Sequence, residues 1–343
     1  MKRVVGSAFL LFCVCLISLI GCSKESTSSS TTQPGAGASS SGKQITIGMM
    51  PKSKGDEYFI ACKKGADEAA NELGVKLIWD GPTEPEAAKQ NQVVDDWITR
   101  GVDVIAVSVE NKAGISTVLR KARQKGIKVI TWDADSEPDA RDFFINQATP
   151  EGIGQSLMDN AATIMGNQGD FALIMASRTA GNMIAWSAAV KARLAEKYPN
   201  IKLVAEEACE DKPTLAFNQA SAILKANPNV KLIMTICAPG MPPTAEAVKQ
   251  SGRTDVKVIG LGTPKANATY VHEGITQAVI LWNSMDLGYL TVHAAKALAD
   301  GRLKPGETSL EAGKLGKVQI QGDNVLLGTP FRFDKTNIDK FEF

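Results

Sequence analysis

Residues 103–133 read DVIAVSVENKAGISTVLRKARQKGIKVITWD, and this stretch decides the fold. Residues 103–109 are mostly β-branched or small and apolar, which is typical of a strand buried on both faces. Residues 115–125 carry apolar side chains at helical spacing, and Gly126 ends that helix. Residues 127–132 then repeat the strand pattern. A strand, a helix and a second strand in sequence predict a βαβ unit with parallel strands.

The same alternation continues on both sides of this unit. It predicts upstream strands at 45–49 and 75–79, and downstream strands at 171–175, 201–205, 230–236, 256–259 and 276–281. Helices lie between them, among them one at 58–73 and others centred near Ala189, Ala220, Ala245 and Tyr270. Because so many strands exceed one open sheet of ordinary size, we predict an α/β fold with two Rossmann-like lobes and parallel sheets. Ligands of such sheets bind at the carboxyl ends of the strands, which here means a cleft between the lobes.

The N-terminal residues have the order of a lipoprotein signal peptide. Basic Lys2 and Arg3 precede an almost wholly apolar run at 4–20, and a glycine stands directly before Cys22. This order is typical of a secretory signal, and a cysteine at the cleavage point is the residue that takes a lipid. Residues 1–22 are therefore predicted to be a signal peptide that ends at the lipidated cysteine. A membrane anchor helix is the alternative, but the apolar run is short for one.

Residues 23–43 contain little besides Ser, Thr, Gly and Ala. Such a composition cannot build a hydrophobic core, so this segment is predicted to be a flexible linker between the lipid and the folded body.

Charge and cysteine content exclude several classes of function. The net charge is +1, from 38 Lys and Arg and 37 Asp and Glu, and no basic patch suggests a nucleic-acid partner. After the signal, Cys62, Cys209 and Cys237 remain, and none belongs to a C-x-x-C motif. Zinc and redox motifs are therefore unsupported. A bond between Cys209 and Cys237 is left open, because both follow predicted parallel strands.

The residues that enzymes of this fold class use are missing from the sequence. There is no G-x-G-x-x-G after the first strand and no Walker loop, so no cofactor is predicted. The two histidines, His272 and His293, fall within predicted helices and are interpreted as surface or packing residues. Asp133, Asp135 and Asp139 lack the spacing of a calcium loop, and a hydroxyl acceptor is the better use for one of them. We therefore predict a binding protein without a metal and without catalysis.

Several segments carry a family resemblance. The turn Met50-Pro51-Lys52, the pair Tyr58-Phe59 at a helix start and the pair Trp132-Asp133 at a strand end resemble the first lobe of type I periplasmic binding proteins. Segments 79–85, 129–133, 145–150 and 333–343 look like the autoinducer-2-binding (LsrB-type) and rhamnose-binding branch of that family. The resemblance covers about residues 43–343. It implies two lobes joined by a three-segment hinge, which close on one small polyhydroxylated ligand.

The resemblance also implies candidate ligand-binding residues. Lys52 matches the family lysine that reaches ligand oxygens, and Asp133 matches the aspartate that accepts from hydroxyls. Charged acceptors form the stronger hydrogen bonds, so one carboxylate can orient a sugar. Aromatic faces stack on sugar C–H surfaces, and this makes Tyr58, Phe59 and Trp282 candidates, with core packing as the alternative for the last two. Asp135 is the further acidic candidate.

The second lobe departs from the autoinducer-2 receptors. They carry an Asp-Gln pair where this chain has Asn182 and Met183, and their Pro-x-Ala loop here reads Cys237-Ala238-Pro239. The expected opposite wall is therefore Asn182, Met183, Ala238 and Pro239. Loss of a carboxylate and gain of a thioether favour a different small sugar or a deoxysugar over autoinducer 2.

These inferences combine into one expected organisation. Residues 44–147 and 284–321 are predicted to form the N-terminal lobe, and 148–283 and 322–343 the C-terminal lobe. The expected function is a monomeric, lipid-anchored substrate-binding protein of an ABC importer in the periplasm or cell envelope. Its expected partners are a sugar-like ligand, the permease and a separate ATPase. An autoinducer-2 receptor and a sensory input subunit for a membrane kinase remain as alternatives.

Overall fold

The computed structural model describes residues 43–343, in which strands and helices alternate along the chain. The strands, in chain order, are β1 (Thr46–Met50), β2 (Lys76–Trp79), β3 (Val104–Val107), β4 (Lys128–Trp132), β5 (Phe143–Asn146), β6 (Gly169–Met175), β7 (Ile201–Ala208), β8 (Val230–Thr235), β9 (Lys257–Leu261), β10 (Thr276–Leu281), β11 (Ser309–Glu311), β12 (Lys317–Gln321), β13 (Asn324–Leu326) and β14 (Phe331–Phe333). The helices are α1 (Glu57–Leu73), α2 (Ala87–Arg100), α3 (Lys112–Gln124), α4 (Pro150–Met165), α5 (Gly181–Lys197), α6 (Pro213–Ala226), α7 (Met241–Gln250), α8 (Pro264–His272) and α9 (Ser284–Ala299).

These strands form two sheets, one in each lobe. The first sheet has the order β11-β12-β13-β5-β4-β3-β1-β2, and the second has the order β14-β10-β9-β8-β6-β7. The predicted two-lobed α/β fold is thereby confirmed. The sheets are not purely parallel, because β11, β12 and β14 each run antiparallel to a neighbouring strand.

Side-chain alternation along the strands explains how helices cover both faces of the first sheet. Val104 and Ala106 pack in the core that contains residues of α1 and α9. Ile105 and Val107 face the other way, into a smaller core with residues of α2 and α3. A strand buried on both faces reads as a continuous apolar run, which is the pattern at residues 103–109.

Local sequence signals set the ends of the site-bearing helices. The side chain of Asp56 accepts from the N–H of Tyr58 and caps α1, and Gly74 ends that helix with a φ of 63°. Thr149 caps α4, and Pro150 occupies its first turn. A proline is tolerated there because a backbone N–H at that position would have no partner within the helix. An Asp or Thr at the N-cap satisfies a backbone N–H that the helix itself cannot pair.

The chain passes between the two sheets three times. The first passage lies between β5 and α4, and the second between β10 and α9. The third lies between β13 and β14, because Asn324–Leu326 pairs in parallel with β5 of the first sheet. The sequence-based boundary at residues 321/322 is wrong in this respect. A three-residue strand is too short to show which sheet it joins.

Two glycines let α9 pack closely on α1 in the first lobe. A Cβ atom at Gly65 would lie 1.7 Å from the carbonyl oxygen of Met285, and one at Gly288 would lie 1.8 Å from that of Cys62. Neither position has room for a larger residue. The chain segment that follows the second passage is therefore fixed tightly against the first lobe.

Among residues 43–343, no helix is long and apolar enough to cross a membrane. The predicted signal peptide, Cys22 and the linker up to residue 42 lie outside the described residues.

Candidate functional site

A cavity of about 410 Å³ lies between the lobes, at the carboxyl ends of strands from both sheets. This volume includes space that is open to solvent. The lining residues are Lys52, Asp56, Tyr58, Phe59, Asp133, Asn182, Met183, Trp186, Asp211, Ile236, Cys237, Ala238, Pro239, Leu261, Leu281 and Trp282. Nine of the ten residues predicted for the site are in this set; the tenth is Asp135.

Lys52 connects the two lobes across the cavity. It follows β1, is 3% exposed, and donates from Nζ to Oδ1 of Asn182 at 3.3 Å. Asn182 lies in the first turn of α5, in the second lobe. An ammonium has three N–H donors, and this long hydrogen bond uses one of them. Lys52 therefore brings a positive charge and further donors to the cavity.

Asp133 is the best-supported acceptor in the cavity. Its Oδ1 accepts from the Tyr58 hydroxyl at 3.0 Å and its Oδ2 from the Ser108 hydroxyl at 2.7 Å. Each carboxylate oxygen has a second lone pair, so both can accept from a ligand as well. Burial raises the pKa of Asp133, and the charge of Lys52 and the two hydroxyl donors oppose that rise.

The backbone at Asp133 holds the carboxylate in place. Asp133 has a φ of 62°, in the left-handed region, where Asp is one of the few residues tolerated other than Gly. Its carbonyl accepts from the side chain of Gln147 at 3.0 Å, and its N–H donates to Ile145 at 3.2 Å. Such a conformation persists only where the surroundings fix it, and it is common at binding sites.

Tyr58 joins Asp133 to the second passage between the lobes. Nε1 of Trp282 donates to the Tyr58 hydroxyl at 2.9 Å, and the two rings pack edge to face with centroids 6.1 Å apart. Burial raises the pKa of Tyr58 well above its usual value, and the nearby Asp133 carboxylate adds to the rise. The phenol therefore stays protonated and acts as a donor to Asp133.

The remaining walls are largely apolar. Phe59 packs against Trp132, and Trp186 of α5 packs against Trp282 with ring centroids 5.8 Å apart. Met183 is 5% exposed and lies one turn before Trp186 on the same helix. Phe59 and Trp282 are buried in the core and also line the cavity.

Asp135 does not line the cavity, and its prediction as a site residue is wrong. Its Oδ1 and Oδ2 accept from Nε and Nη2 of Arg141, at 2.9 and 2.7 Å. Oδ1 also accepts from the hydroxyl of Thr131. Residues two apart in an extended segment point to the same side, but the left-handed backbone of Asp133, with a φ of 62°, breaks this alternation, so Asp135 does not share the direction of Asp133.

Two carboxylates in the cavity were missed by the sequence reasoning. Burial raises the pKa of Asp56 to about 7, and the charges of Asp211, Asp133 and Glu57 add to the rise. Burial likewise raises the pKa of Asp211 to about 6. The positions of these two residues could have indicated a place at the cavity, because Asp56 is the N-cap of α1 and Asp211 lies just after β7.

The other lining residues that the sequence did not predict are apolar or carry a thiol, so their sequence pattern is that of core residues. They are Trp186, Ile236, Cys237, Leu261 and Leu281. Each follows or ends a strand or faces inward from α5, which the sequence pattern alone cannot separate from core packing.

The two histidines lie outside the cavity and contact other side chains. His272 pairs with Asp339 at 2.8 Å on the surface, and His293 is buried against Tyr289 with ring centroids 4.4 Å apart. No group of three or more His, Cys, Asp or Glu side chains within the described part of the chain is arranged to hold a metal ion.

Known proteins with similar sequences and structures include sugar-binding proteins. The chain is 24% identical to the D-apiose import binding protein of Actinobacillus succinogenes over 274 residues, which cover 78% of this chain and 85% of the relative. Among solved structures, an ABC transporter solute-binding protein from Clostridium phytofermentas with bound L-rhamnose is 28% identical, with a TM-score of 0.82, covering 87% of this chain and 98% of that one.

A third similar protein is LsrB from Clostridium saccharobutylicum in complex with autoinducer 2. It is 24% identical, with a TM-score of 0.83, covering 87% of this chain and 100% of that one, and it supports the fold alone. The model of the periplasmic binding protein domain matches residues 47–303. With this match over most of its length, and with the two-lobed type I fold around an interlobe cavity, the chain belongs to the periplasmic binding protein family.

Proposed function

We propose that this protein is the substrate-binding subunit of an ABC importer and that it binds a monosaccharide or deoxysugar in the interlobe cavity. The observation that carries the proposal is the fixed carboxylate of Asp133, which lies in a small cavity with the ammonium of Lys52 and several aromatic side chains. A polar acceptor and donor beside aromatic faces is the arrangement that recognises both the hydroxyl and C–H surfaces of a sugar.

The size of the cavity supports a single sugar ring as ligand. The space between the two lobes amounts to about 410 Å³, including the part that is open to solvent, and it favours a compact molecule over an extended one. Two of the similar proteins are a D-apiose import binding protein and a solute-binding protein with bound L-rhamnose, and each of these ligands is a single sugar.

The character of the second-lobe wall supports a deoxysugar in particular. Met183 and Trp186 present apolar surface, and Asn182 supplies the polar group next to them. A hydroxyl directed at a thioether or an indole face would lose its hydrogen bonds to water without replacement, which costs free energy. A methyl group or a C–H face at that position has no such cost.

Autoinducer 2 is the second candidate ligand, because Lys52 and Asp133 both line the cavity. These are the positions at which the sequence keeps the residue types of that receptor class. Asn182 and Met183 replace its Asp-Gln pair, so the second-lobe contacts differ. We therefore place autoinducer 2 below a monosaccharide or deoxysugar.

Transport completes the proposal. The lobes would close on the ligand and deliver it to a membrane permease, and a separate ATPase would drive import. A lipid on Cys22 would hold the monomer at the membrane in the periplasm or cell envelope, and the 23–43 linker would let it move there.

A thermal-shift screen tests the proposal. A ligand that binds the folded state alone raises the Tm, by an amount that grows with ligand concentration over Kd. We expect a shift with L-rhamnose, D-apiose or another pentose, hexose or deoxysugar, followed by 1:1 binding in calorimetry. A shift with autoinducer 2 alone would favour the second candidate, and no shift with any of these compounds would contradict both.

A further inference from the structure

The second lobe contains a pair of cysteines beside the cavity. Cys209 follows β7 and Cys237 follows β8, and these two strands flank β6 on opposite sides. The N–H of Cys209 donates to Met175 at 2.9 Å, and the N–H of Ile236 donates to Ile174 at 2.8 Å. Both cysteines are therefore held at the same end of β6, and their side chains meet beyond it.

The two sulfur atoms are already in contact. Sγ of Cys209 lies 3.4 Å from Sγ of Cys237, and the side chains are 0% and 4% exposed. We infer that Cys209 and Cys237 form a disulfide bond in the wall of the interlobe cavity when the protein folds in an oxidising compartment. A bond length of about 2.05 Å requires the sulfurs to approach by about 1.4 Å, which is a small movement for two loop residues.

The absence of a side chain at Gly240 leaves space for the two sulfur atoms. A Cβ atom at this position would lie 2.7 Å from Sγ of Cys237 and 3.2 Å from Sγ of Cys209. Any larger residue would therefore push the sulfurs out of place. The methyl group of Thr235 closes the space on another side, 3.2 Å from the same position. The packing keeps both thiols directed at each other.

The reaction needs an oxidant, and we assign it to the class of disulfide-bonded compounds, either a thiol–disulfide oxidoreductase or a small disulfide such as oxidised glutathione. One cysteine thiolate attacks the oxidant disulfide, forms a mixed disulfide and releases one thiol. The second thiolate displaces the other half of the oxidant. Two protons and two electrons leave the protein, and one oxidant disulfide becomes two thiols.

Burial decides when this reaction takes place. The hydrogen bond with Cys209 and burial raise the pKa of Cys237 well above its usual value, so the thiolate is scarce in the folded protein. Thiolates are the reacting species in disulfide exchange. We therefore expect the disulfide to form during folding, before the two thiols are buried. Once formed, the bond is buried and shielded from reductants.

The bond would act on the cavity because its two loops carry cavity residues. Asp211 lies two residues after Cys209, and Ala238 and Pro239 directly follow Cys237. The cross-link spans 28 positions in sequence and limits the freedom of the unfolded chain. It would also hold these two loops at a fixed separation, independently of which ligand binds.

Peptide mapping of the exported full-length protein tests the inference. The protein is extracted at low pH, unfolded in the presence of iodoacetamide without reductant, digested and analysed by mass spectrometry. We expect one cross-linked species containing Cys209 and Cys237, and alkylated Cys62. After reduction, all three should be alkylated. Full alkylation of Cys209 and Cys237 without reductant, also after refolding with oxidised glutathione, would overturn the inference.

A second measurement uses stability. Reductant added during unfolding should lower the Tm of the parent by about 5–10 °C and leave that of Cys209→Ala/Cys237→Ala unchanged. Cys62→Ser is the matched control, because it removes a buried thiol elsewhere and should keep the response to reductant. Equal responses of the parent and the double variant would contradict a bond, whatever the ligand of the protein is.

Discussion

The hydroxyl of Tyr58 donates to Oδ1 of Asp133 at 3.0 Å, and the hydroxyl oxygen of Tyr58 accepts from Nε1 of Trp282 at 2.9 Å. These three residues come from α1, the end of β4 and the end of β10. The carboxylate that we propose as the main ligand acceptor is thus oriented by a residue at the passage between the lobes. Its position depends on how the lobes are joined as well as on its own strand.

Asp133→Ala should weaken sugar binding by about tenfold to a hundredfold. Ligand hydroxyls that lose their acceptor in a closed, dry cavity cost about 1–3 kcal/mol. Calorimetry with the best sugar from the thermal-shift screen measures the change. The control is Asp139→Asn, which should bind the sugar as the parent does. Asp139 is exposed, pairs with Arg120 and lies in the segment that follows Asp133. Parent-like affinity in Asp133→Ala would remove Asp133 from the site.

Met183→Gln should shift preference toward more hydroxylated ligands. The amide supplies a donor and an acceptor where the thioether supplies apolar surface, so a deoxysugar should lose affinity relative to its hydroxylated counterpart. The measurement is the ratio of Kd values for L-rhamnose and L-mannose, which differ by one hydroxyl group. Ile184→Gln changes the exposed neighbour on the same helix and should leave the ratio unchanged. A ratio that does not move in Met183→Gln would contradict the proposed wall.

Asp56→Asn should reduce the pH dependence of stability. The pKa of Asp56 is raised from 3.8 to about 7, so between about pH 4 and 7 the folded state binds more protons than the unfolded state. The free energy of unfolding must then fall as pH rises through this range. The parent Tm should decrease from pH 5 to 7.5, and Asn, which is also a good N-cap, should remove part of that decrease.

The control for this prediction is Asp255→Asn. The side chains of Arg253 and Lys231 lower the pKa of Asp255, so this group is ionised at both pH values in the folded and unfolded states. Its replacement should change the Tm by a similar amount at pH 5 and 7.5. The same pH slope in the parent and in Asp56→Asn would show that Asp56 titrates normally.

Gly288→Ala should destabilise the protein by about 1–3 kcal/mol, because the added methyl group overlaps the backbone of α1 at Cys62. Thermal unfolding should show a Tm lower by about 3–10 °C. Gly328→Ala is matched to it, because a Cβ there meets nothing within 4 Å, and its Tm should change little. Equal Tm values for the two variants would mean that α1 and α9 pack less closely than described.

Cys22→Ser should release the protein from the membrane into the soluble extracytoplasmic fraction. Serine has no thiol to take a lipid, while the signal for export is retained. Fractionation and incorporation of labelled fatty acid measure the two effects, with Cys62→Ser as a variant that should stay at the membrane. Labelled fatty acid on the Cys22→Ser protein would contradict the anchor.

The fold was predictable because its signals are local. The strand at Thr276–Leu281 agrees with its predicted bounds, and the other long strands and helices agree within a few residues. Buried parallel strands give apolar runs and covering helices give a period near 3.6, so both are visible in one sequence. The short strands Ser309–Glu311 and Phe143–Asn146 were not predicted, because pairing with neighbours decides such pieces.

The site was predictable where a family motif marked it and not elsewhere. Lys52 and Asp133 follow strands in segments that resemble a known family, and both line the cavity. Asp135 was misplaced because sequence distance does not give side-chain direction, and a buried Arg141 takes both of its oxygens. Asp211 was missed because no family motif marks it, although its position just after β7 could have indicated a place at the cavity.

Trp282 directly follows β10 and precedes α9, at the second passage between the lobes. Its indole packs on Trp186 of the second lobe and donates to Tyr58 of the first. A ligand that touches this ring therefore contacts the joint itself and not only the walls that move around it. Contact with this ring would couple occupancy of the cavity to the angle between the lobes, and a ligand that did not reach Trp282 would lack this coupling.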